Sequence, residues 1–268
     1  MTLSEFAAAI LEHVRHEQPL VHHITNLVTM NDVANATLAV GARPVMALAL
    51  NEVTQMVESA RALVLNLGTP TPERVEVMLA AGAVANARGI PIVLDPVGVG
   101  ATAFRSQSAQ RLLTVLRLAV VRGNAGEIAA LADLTGTVSG VDTARQDLDR
   151  AAVAQALARR HRTVVALTGA TDLVSDGVRV AAVDNGHPLL KAVTGTGCQV
   201  SAITGAFCAV ETDMLRAAVS ALTVFGIAAE RAAREAKGPG SFRIALFDAL
   251  YALTAEEITQ AARVRWLS

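Results

Sequence analysis

Cysteine is scarce in this chain, with two among 268 residues, and aromatic side chains make up only 3% of it. Two thiols cannot build a disulfide framework, and Cys198 and Cys208 stand ten positions apart on one expected helix. That spacing corresponds to about 15 Å at 1.5 Å per residue, beyond the reach of a bridge. No Lys/Arg run exceeds Arg159-Arg160-His161-Arg162, and the formal net charge is −1, which argues against nucleic acid as a partner. Long apolar runs are missing too. The one after Cys198 stops at Glu211, Thr212 and Asp213, and the next is cut by Arg216, so neither reaches the about 20 residues of a membrane span. The N-terminal segment MTLSEFAAAILEHVRHEQ carries an acidic residue ahead of its apolar stretch, reads as an amphipathic helix with a Thr2-x-x-Glu5 capping box, and is no signal peptide. A cytoplasmic location is therefore expected. Walker-type G-x-x-x-x-G-K-[ST] is absent, and Gly195-x-Gly197-x-x-Val200 has valine where a dinucleotide fingerprint needs its third glycine.

What is present is an aliphatic chain, 52% hydrophobic, long enough to bury one large core of Ala, Val, Leu and Ile in one expected domain, residues 1–268. Short apolar strands at Leu20 to Ile24, Pro44 to Leu48, Ala62 to Leu67, Pro91 to Leu94, Leu118 to Val121 and Thr163 to Leu167 alternate with helix-length segments. The helices are expected over 31–40, 52–60, 71–88, 104–116, 125–133 and 143–159. This alternation predicts parallel strands joined by crossover helices, an α/β fold. It breaks after Gly169, where Asp172 to Ser175 and Val178 to Val183 flank Asp176-Gly177, a type I′ hairpin signal. The sheet should end in an antiparallel edge. From Gly197 onward only helix is expected, over about 197–210, 213–235 and 241–262.

Ligands of open parallel sheets bind beyond the carboxyl ends of the strands. The residues there are polar: Thr25-Asn26, Asn66 to Thr69, Asp95 to Gly98, Arg122 to Asn124, and Thr168-Gly169. The segment KAVTGTGCQVSAITGAFCAV sets two glycines before a buried helix, and its open amides and dipole suit a phosphate. Cys198 then sits at or beside the first helical residue, where the same field favours a thiolate. Asp95 either holds a hydrated magnesium ion or closes an Asx-type turn. Asn124-x-x-Glu127 satisfies the capping-box logic, while Arg122, a guanidinium at a buried strand end, calls for an anionic partner. His22 and His23 point to opposite faces, one expected partly buried and one on the surface. Met46 packs in the core or lines a pocket for an apolar ring.

In this order the motifs VHHITNLVTMNDVAN, GARPVMA, LVLNLGTPTPERVEVM, GIPIVLDPVGVGAT, VVRGNAGEIAAL, ALTGATDLVSDG and DNGHPLLKAVTGTGCQVSA resemble the hydroxyethylthiazole kinase family of the ribokinase-like superfamily, over nearly the whole chain. The resemblance implies a three-layer α/β/α sandwich and a homotrimer with active sites at subunit boundaries. It implies transfer of the ATP γ-phosphate, with Mg²⁺, to the hydroxyl of 4-methyl-5-(2-hydroxyethyl)thiazole in thiamine salvage. Carried over by position, Asn26, Met46, Gly68 and Gly195 contact the thiazole, and Arg122, Thr168 and Thr194 bind ATP. Asp95, Asn124 and Glu127 organise magnesium, and Thr194, Gly195, Thr196 and Gly197 form the anion hole beside the catalytic Cys198. Many ribokinase-like enzymes carry aspartate at that last position. Ala47-Leu48-Ala49-Leu50 is a further departure, where the family pattern leads one to expect a more polar turn. Alternatives are a kinase of hydroxymethylpyrimidine or another small primary alcohol, and a thiol hydrolase using Cys198 with His187 or His23 as base.

Overall fold

The computed structural model describes residues 1–136 and 147–267, the side chains of 147–149 excepted. The first half of the chain runs α1 (Leu3–Glu17), β1 (Leu20–Ile24), α2 (Met30–Ala39), β2 (Arg43–Val45), α3 (Val53–Ser59), β3 (Ala62–Asn66), α4 (Pro72–Arg88), β4 (Ile92–Asp95), α5 (Ala103–Val115), β5 (Val120–Asn124) and α6 (Ala125–Leu134). It continues with α7 (Asp147–His161), β6 (Val164–Thr168), β7 (Asp172–Ser175), β8 (Val180–Val183), a 3₁₀ turn (Pro188–Ala192), α8 (Thr196–Cys208), α9 (Met214–Glu235), α10 (Pro239–Ala252), α11 (Ala255–Ala261) and β9 (Val264–Leu267). The described strands form one sheet in the order β2-β1-β3-β4-β5-β6-β7-β8-β9. Pairing is parallel from β2 through β6 and antiparallel from β6 to β9.

Alternation along each strand divides the sheet's contacts between two cores. Val64 and Val93 face a cluster shared with α1, α8, α9 and α10, whereas Leu63, Leu65, Ile92 and Leu94 face one shared with α4, α5, α6 and α7. Helices therefore cover both faces, which is the three-layer α/β/α arrangement. Each of those fully buried leucines and isoleucines contributes about 2 kcal/mol of transfer free energy. Capping boxes start α1 (Thr2 with Glu5), α6 (Asn124 with Glu127) and α11 (Thr254 with Glu257).

Several expectations are corrected. The chain after Gly197 is not helix only. The segment expected over 241–262 is two helices, because Thr254 caps a new one, and the last residues form β9 beside β8. The β7–β8 turn is not type I′, which needs positive φ at both central residues. Gly177 has it (φ 93°) but Asp176 does not. Instead the Asp176 carboxylate accepts from the amides of Val178 (2.9 Å) and Arg179 (2.7 Å), and the hairpin loop is four residues long. Both His22 and His23 are buried, since β1 lies between β2 and β3 with helices on either side. His22 Nε2 meets the Ala47 carbonyl at 2.8 Å, and His23 Nε2 meets the Thr37 hydroxyl at 3.2 Å. Only 147–159 of the helix expected over 143–159 falls among the described residues, within α7.

Candidate active site

Sheet register brings the polar strand ends to one rim. Asn66 is level with Asp95 across β3 and β4, and Asn124 is level with Thr168 across β5 and β6. Helix α8 starts at this rim. Its N-cap is Gly195 in the left-handed region (φ 83°), where a side chain would be strained and would run into the methyl group of Thr29. The first main-chain bond of the helix is Gln199 N–H to Gly195 O at 2.9 Å. The amides of Thr196, Gly197 and Cys198 thus find no main-chain acceptor among the described residues, as the first turn of any helix requires. Arg122 lies against them. A methyl group on Gly197 would stand 2.7 Å from Arg122 Nη1, so the guanidinium reaches the helix start only because residue 197 has no side chain.

Arg122 Nη2 donates to Thr168 Oγ1 at 2.8 Å, and Nη1 lies 3.8 Å from Asp95 Oδ2. The anionic partner that the sequence demanded of Arg122 is therefore present within the chain. These groups open on a cleft of about 620 Å³, lined by Arg122, Asn124, Thr168, Thr196 and Gly197 at its polar end. Val200, Leu222 and Phe225 give it an apolar wall, and its size suits a nucleotide. Thr194 is exposed and does not line it. Asp172, which sequence reasoning passed over, also borders the cleft; it accepts from Gly169 N–H at 2.8 Å, and desolvation raises its carboxyl to about 6.

Cys198 is the third residue of α8, and its thiol is not activated as the sequence suggested. Burial and the Asp95 carboxylate push its pKa up, against the opposing effect of donors from Thr29, Asn66 and Asn26. Asn26 Nδ2 and Asn66 Nδ2 each donate to the sulfur at 3.3 Å. Asn66 Nδ2 also donates to Asp95 Oδ2 at 2.8 Å, and Ser201, one helical turn beyond Cys198, donates its hydroxyl to the same oxygen at 2.8 Å. Gly68 packs so closely that a methyl group on it would lie 2.6 Å from Asn26 Cβ. Asn26, Gly68, Gly195 and Cys198 therefore share one corner of the rim. Met46 stands apart: it is half-buried just beyond β2, and no hydrogen bond ties it to this group. No histidine contacts Cys198 among the described residues. His187 Nδ1 accepts from Leu189 N–H and His23 pairs with Thr37, so a thiol hydrolase has no base here.

Asp95 is fully buried, and burial raises its carboxyl from 3.8 to about 6. The Arg122 charge, at 3.8 Å, opposes this without overcoming it, and Glu127 adds like-charge repulsion. Among the described residues Asp95 Oδ1 has no hydrogen-bond partner. Asn124 and Glu127 close the capping box, with Glu127 N–H to Asn124 Oδ1 at 3.0 Å and Asn124 N–H to Glu127 Oε2 at 2.9 Å. Glu127 Oε1 also accepts from Gly98 N–H at 3.0 Å. Among the described residues no three His, Cys, Asp or Glu side chains form a metal cage. The orphan Asp95 oxygen beside a second carboxylate fits a magnesium ion that keeps most of its ligands as water and phosphate.

Comparison with known proteins bears on this geometry. A family model described as the hydroxyethylthiazole kinase family matches residues 11–256. The hydroxyethylthiazole kinase of Chloroflexus aggregans is 54% identical over 268 residues, covering 100% of this chain and 96% of that one. A solved structure of a hydroxyethylthiazole kinase protein from Pyrococcus horikoshii superposes with a TM-score of 0.93 at 47% identity, over 98% of this chain and 99% of that one. A ribokinase-like superfamily protein from Enterococcus faecalis shares the fold, with a TM-score of 0.64 at 14% identity, over 86% of each chain.

Proposed function

Since the chain belongs to the hydroxyethylthiazole kinase family and is a kinase, we propose that its cleft transfers the γ-phosphate of ATP to the primary hydroxyl of 4-methyl-5-(2-hydroxyethyl)thiazole. The observation that carries this reading is the open first turn of α8, with Arg122 across it and the Cys198 sulfur beside it. The thiazole lies toward Asn26, Gly68 and Gly195, with its hydroxyl at Cys198. The triphosphate lies toward Arg122, Thr168 and the amides of Thr196 and Gly197, with Thr194 at the outer edge. The hydroxyl oxygen attacks the γ-phosphorus while the bond to the β,γ-bridging oxygen breaks, and ADP leaves with that electron pair. The acceptor proton passes to the sulfur of Cys198 in its thiolate form. Burial keeps the thiolate fraction small, so the sulfur supplies only part of the about 10²–10⁴-fold expected of a well-matched base. Alignment and charge neutralisation by the α8 amides and Arg122 carry the rest, as a loose phosphoryl transition state allows.

Asp95 would hold Mg²⁺, with Asn124 and Glu127 ordering its waters. A bound Mg²⁺ neutralises phosphate charge. The enzyme works as one ribokinase-like kinase domain over residues 1–268, in thiamine biosynthesis or salvage in the cytoplasm. A homotrimer with sites at subunit boundaries is supported by Leu27, Val28 and Leu50, which are 67%, 66% and 59% exposed close in sequence to Asn26 and Met46. In that assembly Met46 would complete the ring pocket from beyond β2. Incubation of the protein with ATP, Mg²⁺ and a panel of small alcohols, read by phosphorus NMR, should give the thiazole phosphate ester. Turnover of hydroxymethylpyrimidine with none of the thiazole would overturn the substrate assignment.

A further inference from the structure

Asn66, the last residue of β3 and 1% exposed, received no role from the sequence beyond a polar strand end, yet its side-chain hydrogen bonds among the described residues all fall inside the site. Its orientation is unambiguous. Oδ1 accepts from the main-chain N–H of Gly68 at 2.9 Å, and a main-chain N–H can only donate, so the oxygen end of the carboxamide is fixed there. The same oxygen accepts from Asn26 Nδ2 at 3.0 Å. Nδ2 of Asn66 must then face the other way, toward Asp95 Oδ2 at 2.8 Å and Cys198 Sγ at 3.3 Å. Asn26 is fixed by the same logic. Its Oδ1 accepts from the amides of Val28 and Thr29, both at 3.0 Å, which leaves its Nδ2 to donate to Asn66 and to the sulfur.

Two carboxamides of fixed orientation thus present N–H groups to one sulfur, and one of them also grips the carboxylate on the phosphate side. We infer that Asn66 is a positioning residue for phosphoryl transfer, joining the acceptor loop at Asn26 and Gly68, the Cys198 sulfur and the Asp95 carboxylate into one rigid unit. This rests on the reading of Cys198 given above. If Asn66 served only to end β3, the Oδ1 bond to Gly68 would suffice and the two Nδ2 bonds would have no effect on rate.

Asn66→Asp keeps the acceptor for Gly68 and Asn26 while replacing the donor that faces Asp95 and Cys198 with a second carboxylate, so an unchanged kcat would show the Nδ2 bonds idle, and an alanine cycle separates lost donors from added charge. Loss of two donors to functional groups should lower kcat by about 10- to 100-fold, with the KM for ATP changed less than about 3-fold. A kcat equal to that of the unaltered enzyme overturns the proposal. A cycle of Asn66→Ala and Cys198→Ala, with thermal melts to establish folding, tests whether Asn66 acts through the sulfur. Asn66→Ala should cost about 10-fold or more in kcat alone and a clearly smaller factor in the Cys198→Ala background, where only the bond to Asp95 remains to be lost. Equal losses in both backgrounds, which would leave Asn66 acting on Asp95 without the sulfur, or a loss confined to the KM for thiazole, reject the joined unit and leave the role of Cys198 standing. Unchanged kcat in Cys198→Ala alone rejects the reading of the sulfur and the present proposal with it.

Discussion

Replacing Asp95 by asparagine should change how stability depends on pH, with a sign the geometry dictates. The carboxyl titrates near 3.8 when unfolded and at about 6 in the fold, chiefly through burial. A proton held more tightly in the folded state contributes stability that is complete below about pH 3.8 and is lost as pH rises through about 6. That difference between the two states makes the ionised form cost the fold about 3 kcal/mol at neutrality. Asparagine keeps an acceptor for Ser201 and Asn66 but removes the charge opposite Arg122 and places an NH₂ where Oδ1 has no partner. Those costs do not vary with pH, so a comparison across pH isolates the carboxylate. Between about pH 4.5 and about pH 7.5 the difference in stability should move by roughly 2 kcal/mol in favour of Asp95→Asn, or about 4 °C in midpoint. Parallel thermal melts of both proteins in chelator, at several pH values, provide the assay. Midpoints that track each other across this window would refute the dominance of burial over Arg122, while kcat should fall at least about 100-fold in the variant.

Cys198→Ala should lower kcat by roughly 10- to 100-fold with little change in the KM for ATP, whereas Cys198→Asp should remain active; kinetics of both variants against ATP and thiazole check this. The unaltered enzyme should also gain kcat as pH rises through the alkaline range, because its thiol pKa is raised, and Cys198→Asp should lose that dependence. Gly197→Ala would place a methyl group 2.7 Å from Arg122 Nη1, displacing the guanidinium from Thr168 and raising the KM for ATP about 10-fold with a smaller effect on thiazole. Titration of nucleotide binding by calorimetry should show Mg²⁺ tightening ATP at least about 10-fold, and Asp95→Asn losing most of that gain.

The parallel half of the fold was legible because continuous apolar strands between amphipathic helices have few alternatives. β1 runs over the expected residues Leu20–Ile24, and β3 and β4 end within a residue of expectation. Errors gathered where local signals compete. Thr254-x-x-Glu257 was a readable capping box inside an otherwise helical stretch, and it divides α10 from α11. β9 is four residues at the chain end, and only β8 makes it a strand. Candidate site residues were nominated where one side chain breaks an apolar pattern, as Asp95 and Arg122 do, and the register brings both to one rim. Asn66 and Ser201 escaped because their roles come from register and helical spacing: Asn66 is level with Asp95 only across β3 and β4, and Ser201 follows Cys198 by three positions on α8. The thiol pKa was misjudged because a helix start was weighed without the burial of the sulfur, the larger cause, and without the Asp95 carboxylate, which sits on a strand.

On the proposed reading, the charges at the rim let one residue set serve both substrates. Asp95 carries a carboxylate oxygen without a partner, and the start of α8 carries amides without main-chain acceptors, so the two sides of the rim are unsatisfied with opposite sign. Arg122 stands between them at 3.8 Å from the carboxylate, too far for a hydrogen bond, with its hydrogen bond to Thr168 holding it in place. Were Arg122 to close on Asp95, the carboxylate would be satisfied and the anion site would lose its cation. The Thr168 hydroxyl and the bare face of Gly197 keep the guanidinium at the helix start instead, which leaves Asp95 in an environment that raises its pKa. A cation carried by a polyphosphate meets both deficits together, and either ion alone meets one. On the proposed reading, stability held back at Asp95 is the counterpart of affinity for that paired ligand, which is why the variant whose relative stability rises toward neutral pH is also the one expected to disable the enzyme.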